Sequence, residues 1–248
     1  MAQANPRADL SDPSRANVAR TGLAGRERLG TPAEMEAVVH ATVVDATSLP
    51  SGVRFFEVAE DDRTQAYFIA IAPHGGDIEK HTDEEAEHLD RELASNGYPA
   101  TTWICKGFGD GPKGAFDRWH ITSTDLHPAS FPLLGRIATR KFCYGVAFHG
   151  FSKQSDDADL YIGGGASGTS ALEAANLPLQ IRIATENDDP KFQGRSANNL
   201  INRLAAQGIH IEQSFEARKF SEKIAKAIAT VYRSPIKRFL CAWTNLLR

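Results

Sequence analysis

Apolar residues along this chain come in short runs separated by glycine-rich, polar punctuation. Tyr67 to Ala72 are almost all apolar or β-branched, the pattern of a strand covered on both faces. Pro73 is expected to end that strand, and Gly75 and Gly76 then give the backbone freedom for a sharp turn, so that His74 and Glu79 can be aimed at one point. Thr82-Asp-Glu-Glu85 reads as an N-cap with a capping box, opening a helix toward Leu93. A second strand is predicted over Ala100–Cys105, followed by the loop 107–114. Arg118 to Ser123 form a short β-prone run, and Phe131 to Arg140 have helical spacing. Phe142 to Phe148 then repeat the opening pattern, a buried strand that stops at His149-Gly150.

Further strands are predicted at Leu160–Gly165, at Leu179–Ala184 and at Gly208–Glu212. Helices are predicted from about Thr169 and through Asn198–Arg203. Upstream, Met35–Val44 and Val53–Val58 read as edge elements of the sheet. Downstream, Phe220–Leu247 has apolar residues at helical spacing, interrupted by Pro235. Strands alternating with helices predict an α/β three-layer domain.

The 248 residues, 42% hydrophobic, suffice for one large core. Residues 1–35 lack a sustained apolar period and are expected to be a flexible leader, leaving 36–248 as a single domain with a basic helical tail from about residue 219. No apolar run reaches the roughly 20 residues of a membrane span. The N-terminus has no secretory h-region, so the expected location is the cytoplasm, or outside after lysis or export by another route. Cys105, Cys143 and Cys241 lie far apart with no Cys-x-x-Cys pair, which argues against a disulfide framework and against a cysteine zinc site.

The net charge of −3 is unevenly spread. Residues 36–215 carry 15 basic and 25 acidic side chains, and residues 216–248 carry eight and two. So acidic a body disfavours polynucleotide binding. Lys219, Lys223, Lys226 and Arg233 recur at near-helical spacing and read as the solvated face of an amphipathic helix.

A hydrolytic zinc site wants three protein ligands, commonly two His and one carboxylate, with one position open. His74, Glu79 and His149 meet that demand if the strands ending near 72 and 148 are neighbours. By spacing alone His74 is as readily a turn residue and His149 reads first as a core or turn histidine, while Glu212, at the end of a late strand, could be a general base although a lone strand-terminal carboxylate is more often solvated. His120 has the same status.

Six short motifs, in order, resemble the series of the poly-γ-glutamate hydrolase family of phages and bacteria: His74-Gly-Gly-Asp-Ile-Glu79 with Thr82, His120-Ile-Thr-Ser-Thr124, Phe148-His149-Gly150, Ile162-Gly-Gly164, Asn199-Leu-Ile-Asn202 and Gly208-Ile-His-Ile-Glu212. The likeness runs from about residue 53 to 218. It implies a three-layer sandwich with a mixed sheet, similar to the zinc carboxypeptidases, and one zinc ion per chain. It further implies His74, Glu79 and His149 as metal ligands and Glu212 as the carboxylate that activates water. His120, Asn202 and Arg203 are implied as contacts to an anionic γ-glutamyl polymer or peptide. The chain departs from the family's habits at His210, where Gln is usual, at Gln213, where a hydrophobic residue is usual, and at Ile201, which replaces a common Cys.

Two other classes remain in view. A serine hydrolase with His74-Gly-Gly76 as an oxyanion turn would need a Gly-x-Ser-x-Gly elbow, which Gly165-Ala-Ser167-Gly-Thr169 fails at its last position. A phosphate- or nucleotide-binding module could use the loop Gly163 to Ser170 as a cradle at a helix N-terminus, although the chain has no Gly-Lys-Ser/Thr element.

Overall fold

The computed structural model describes residues 52–61, 67–97, 100–109, 114–164 and 177–232. The expected strand at 35–44, the leader, the helix from 169 and the tail beyond 232 lie outside these residues. In chain order the elements are β1 (Arg54–Glu60), β2 (Phe68–Gly76), α1 (Thr82–Ala94), β3 (Thr101–Phe108), α2 (Ala115–Trp119), α3 (Pro132–Ile137), β4 (Phe142–Gly150), β5 (Leu160–Gly164), β6 (Ile181–Ile183), α4 (Pro190–Gln193), α5 (Leu200–Leu204), β7 (Ala205–Gln213), α6 (Phe215–Arg218) and α7 (Ser221–Tyr232).

The strands form one mixed sheet in the order β1-β3-β2-β4-β7-β5-β6. Its centre, β3-β2-β4-β7, is parallel, while β1 pairs antiparallel with β3 and β5 antiparallel with β7. Helices cover both faces, which is why β2 and β4 read as unbroken apolar runs. On one face Phe68, Ala70, Val146, Phe148, Ile209 and Ile211 pack with Ala86, Leu89 and Leu93 of α1 and with Ile224 and Ile228 of α7. On the other, Ile69, Ile71, Trp103 and Ala147 pack with Leu134 and Ile137 of α3 and with Leu200, Ile201 and Leu204 of α5. The result is the three-layer α/β sandwich expected from the alternation. Lys223 and Lys226 are exposed on α7, the solvated face expected of them.

Three local expectations are corrected. Pro73 does not end β2: the strand continues to Gly76 across a register shift, Ala72 pairing with Ile104 and Gly75 with Lys106. Thr82 is not the N-cap of α1. The chain enters the helix through His81 in a left-handed conformation (φ 76°), and the Thr82 hydroxyl donates backward to the Glu79 carbonyl at 2.9 Å. Residues 118–123 are not a strand, because Arg118 and Trp119 end α2 and the segment then passes as a loop against His74 of β2 and His149 of β4.

Glu85, expected to close a capping box, is instead fully buried and accepts a 2.6 Å hydrogen bond from Gln213 Nε2, across from β7. Oε1 of both side chains has no partner. Burial drives the Glu85 carboxyl well above its ordinary range, with Glu84 and Asp83 adding to the effect and Gln213 and Arg218 opposing it. A group whose folded pKa is raised costs nothing below the ordinary carboxylate range, where both states are protonated. As pH rises through that range the unfolded chain ionises first, so stability is lost until the folded pKa is reached. Glu85→Gln removes this titration and supplies an amide donor. The variant is expected to be more stable than wild type at neutral pH, and thermal melts across pH should show that advantage shrinking toward about pH 4.

Candidate functional site

The bulge in β2 decides where His74 points. Side chains alternate along a strand, and Ile69 and Ile71 face α3 and α5 while Ala70 and Ala72 face α1 and α7. A regular strand would send residue 74 to the α1 side. Between Ala72 and Gly75 β2 uses three steps where β3 uses two, from Ile104 to Lys106, and this extra residue reverses the alternation. His74 therefore turns to the face that His149 occupies on β4. The turn beyond it is closed by Glu79 N donating to His74 O at 2.8 Å. It needs glycine: a Cβ at 75 would lie 2.7 Å from Asp83 Cβ and 2.9 Å from Cys105 O, and Gly76 has φ +69°.

Four side chains meet beyond the carboxyl ends of β2 and β4, where an open parallel sheet places its ligands. His74 Nδ1 lies 3.0 Å from Glu79 Oε1 and 3.2 Å from His149 Nδ1, and His149 Nδ1 lies 3.7 Å from Glu79 Oε2. His120 Nε2 is 3.6 Å from Glu79 Oε1, and one donor atom each from His74, Glu79 and His120 falls within 4.8 Å of the others. His74, Glu79 and His149 are buried, while the His120 side chain is 19% exposed and stacks on the exposed Phe116 ring at 4.3 Å.

Each ring is held from behind. His74 Nε2 donates to Ile121 O at 2.8 Å, which leaves the Nδ1 lone pair turned toward the cluster. His149 Nε2 pairs with Ser123 Oγ at 3.1 Å, again leaving Nδ1 inward. Glu79 Oε2 accepts from Gly150 N at 2.8 Å. Burial opposes ionisation of Glu79, but His74 and the hydrogen bonds from His120 and His149 hold its carboxyl well below the usual range. Burial also lowers the pKa of His74, yet Glu79 and the Ile121 carbonyl carry it upward overall. His149 is pushed down to about 4, by burial first and then by His210. The cluster is thus an anion between two imidazoles turned by their neighbours to present Nδ1.

A tetrahedral ion with bonds of about 2.0–2.1 Å separates its ligands by roughly 3.3 Å. His74 Nδ1 lies near that edge length from Glu79 Oε1 at 3.0 Å and from His149 Nδ1 at 3.2 Å, while His149 reaches the other carboxylate oxygen, Oε2, at 3.7 Å. The donors are nitrogen and oxygen, the set that suits zinc.

Glu212 stands beside His149 on the neighbouring strand, on the same face. Its Oε1 is 3.1 Å from His210 Nε2, which also lies 3.1 Å from Lys191 O. His210 packs against His149 with ring centroids 4.6 Å apart, and Asn199 Nδ2 reaches its Nδ1 at 3.4 Å. The remaining expected residues go elsewhere. Asn202 spends its amide on Gly194 O and Ser196 O, and Arg203 donates to Leu126 O. Neither makes a hydrogen bond to the cluster, because both belong to α5, which binds the loops beside β7.

Sequence reasoning missed Ser123 and His210 as partners, although both sit inside the motifs quoted for the resemblance. The backbone groups of Ile121 and Gly150 carry no sequence signal at all. Of the Gly163–Ser170 loop, only Gly163 and Gly164 are described. Both glycines are explained by packing, since a Cβ at 163 would strike the backbone of Phe192 and Gln193, and Gly164 has φ +100° with a Cβ position 2.5 Å from Gly208 O.

Among solved structures, a bacteriophage poly-gamma-glutamate hydrolase is similar over 75% of this chain and 91% of its own, with 20% identity and a TM-score of 0.57. The zinc-free form of a protein named YNDL covers 75% and 89%, at 21% identity and a TM-score of 0.49. The N-acetylmuramoyl-L-alanine amidase AmiC2 of Nostoc punctiforme covers 67% and 95%, at 12% identity and a TM-score of 0.40. The first of these supports the fold. Comparison with curated proteins found no match. A model of the poly-gamma-glutamate hydrolase family matches residues 51–236, a span that contains the seven strands of the described residues and every residue of the cluster. The chain therefore belongs to the poly-gamma-glutamate hydrolase family, a family of hydrolases.

Proposed function

We propose that this chain is a zinc-dependent amide hydrolase that cleaves γ-glutamyl linkages of poly-γ-glutamate. The observation that supports the reading is the convergence of His74 Nδ1, His149 Nδ1 and the Glu79 carboxylate, with contacts of 3.0, 3.2 and 3.7 Å, beside Glu212. His74, Glu79 and His149 would hold one zinc ion, which when bound would supply Lewis acidity to the amide carbonyl and to the attacking water.

The chain's own groups do the rest. Glu212 takes the proton from the attacking water at Oε2, the oxygen that His210 leaves open, and returns it to the leaving nitrogen. His210 and Asn199 hold the Glu212 carboxylate in place. His120, the more exposed member of the cluster, lies beside Glu79 where it can contact the substrate. Ser123 and Ile121 keep the two ligand rings from turning.

Metal analysis of the purified chain tests this, together with the rate of chain shortening of poly-γ-glutamate before and after chelation. About one zinc per chain and activity restored by added zinc are expected. A chain that takes up no zinc, or that cleaves equally well after complete chelation, overturns the reading.

A further inference from the structure

The groups assigned above come from three separate segments, the turn ending at Glu79, the end of β4 at His149 and the end of β7 at Glu212. One side chain touches all three. Arg218 Nη1 donates to the carbonyl of Lys80, the residue after Glu79, at 2.7 Å. Its Nε donates to the carbonyl of Ser214, two residues beyond Glu212, at 3.4 Å. The guanidinium lies against Gly150, the residue after His149, so closely that a Cβ there would sit 2.5 Å from Cζ and 2.8 Å from Nε and Nη1. The peptide it presses is the one whose N–H holds Glu79 Oε2.

Arg218 is only 7% exposed and makes no ion pair among the described residues. A guanidinium buried without a carboxylate partner is costly. Burial acts to lower its pKa, and Glu79, Glu85 and Glu212 oppose that at longer range. What arginine offers here that no apolar residue could is a rigid plane with several fixed donors, able to reach two carbonyls while its face packs on a third segment.

We propose that Arg218 is a positioning residue of the metal site, fixing the separations of Glu79, His149 and Glu212; this rests on the metallohydrolase reading above. Arg218 touches none of the reacting atoms in this account and acts through Lys80, Gly150 and Ser214.

The test is zinc affinity of the full chain, measured by competition with a chromophoric chelator, for Arg218→Met, Arg218→Lys and Gly150→Ala, with a thermal melt of each. Loss of an outer support of a metal site costs about 10- to 100-fold in affinity, and Arg218→Met is expected in that range. Arg218→Lys keeps the charge but cannot span both carbonyls, so it should weaken zinc binding as Arg218→Met does. Gly150→Ala keeps Arg218 and every hydrogen-bonding group but pushes the guanidinium away, and about a tenfold loss is expected. A zinc Kd within about threefold of wild type in folded Arg218→Met overturns the proposal, and if that variant does not fold, the same result in Gly150→Ala does so. A lower melting temperature with unchanged zinc affinity would make Arg218 a packing residue only, and a raised KM with unchanged zinc affinity would make it a substrate contact. Either outcome overturns the proposal. A wild-type chain that binds no zinc sinks the metallohydrolase reading itself, whereas tight wild-type binding with indifferent variants sinks only the role of Arg218.

Discussion

Glu212→Gln is expected to lower turnover of poly-γ-glutamate by about 10²- to 10⁴-fold, the usual contribution of a general base, while zinc content stays near that of wild type. The substitution keeps the size of the side chain and its acceptor toward His210 Nε2, so the 3.1 Å contact that orients it can persist. Only the proton acceptor is lost. Folding should be unaffected, since Glu212 is tied to β7 by its backbone pairing with β4 and β5. Substrate binding should survive, which makes this variant suitable for trapping a complex. The measurement is kcat and KM alongside metal analysis. Near-normal kcat would remove Glu212 from the mechanism, and loss of zinc together with activity would make it a ligand.

The second large effect concerns the ligands. His74→Ala and Glu79→Ala should each weaken zinc binding by more than the roughly 100-fold that losing an outer support can cost, because each deletes a donor outright. The informative comparison is His149→Ala with His120→Ala. Both rings reach Glu79, His149 through Nδ1 at 3.7 Å and His120 through Nε2 at 3.6 Å, so distance alone does not rank them. Support and burial do. His149 is buried, and its outer nitrogen is engaged by Ser123 as a metal-ligating ring requires, whereas His120 is more exposed and stacks on a surface phenylalanine. His149→Ala is therefore expected to strip the metal and His120→Ala to retain it while kcat falls. The reverse result in metal content would exchange the two roles.

Much of this was legible in the residues because the strands are apolar on both faces and stop at polar side chains. A run such as Phe142 to Phe148 has only one place to be in an α/β sheet, and its abrupt end at His149 marks the edge where ligands collect. The place of Glu212 near the end of a late strand was legible for the same reason. Position along the chain was less informative where side chains serve backbone groups. Asn202 and Arg203 look like substrate contacts in sequence, yet Asn202 Nδ2 and Arg203 Nη2 donate to carbonyls of neighbouring loops. Thr82 has the residue type of an N-cap, but the preceding turn closes first, through Glu79 N and His74 O, and its geometry enters the helix at His81. Arg218 and Gln213 act across the fold on residues more than 100 positions away, a relation that no local pattern encodes.

The bulge between Ala72 and Gly75 means that the site is written partly in a number. No amino acid at position 73 or 74 specifies which side of the sheet the imidazole visits; the count of residues between two hydrogen-bonded positions does. Point substitutions sample side-chain chemistry at a fixed phase, so they can degrade His74 but cannot move it. One residue gained or lost in this stretch would swap the two faces for everything between the bulge and the turn, carrying the histidine into the layer of α1 and α7. Transplanting the site into another parallel sheet would therefore require copying this miscount along with the histidines and the glutamate.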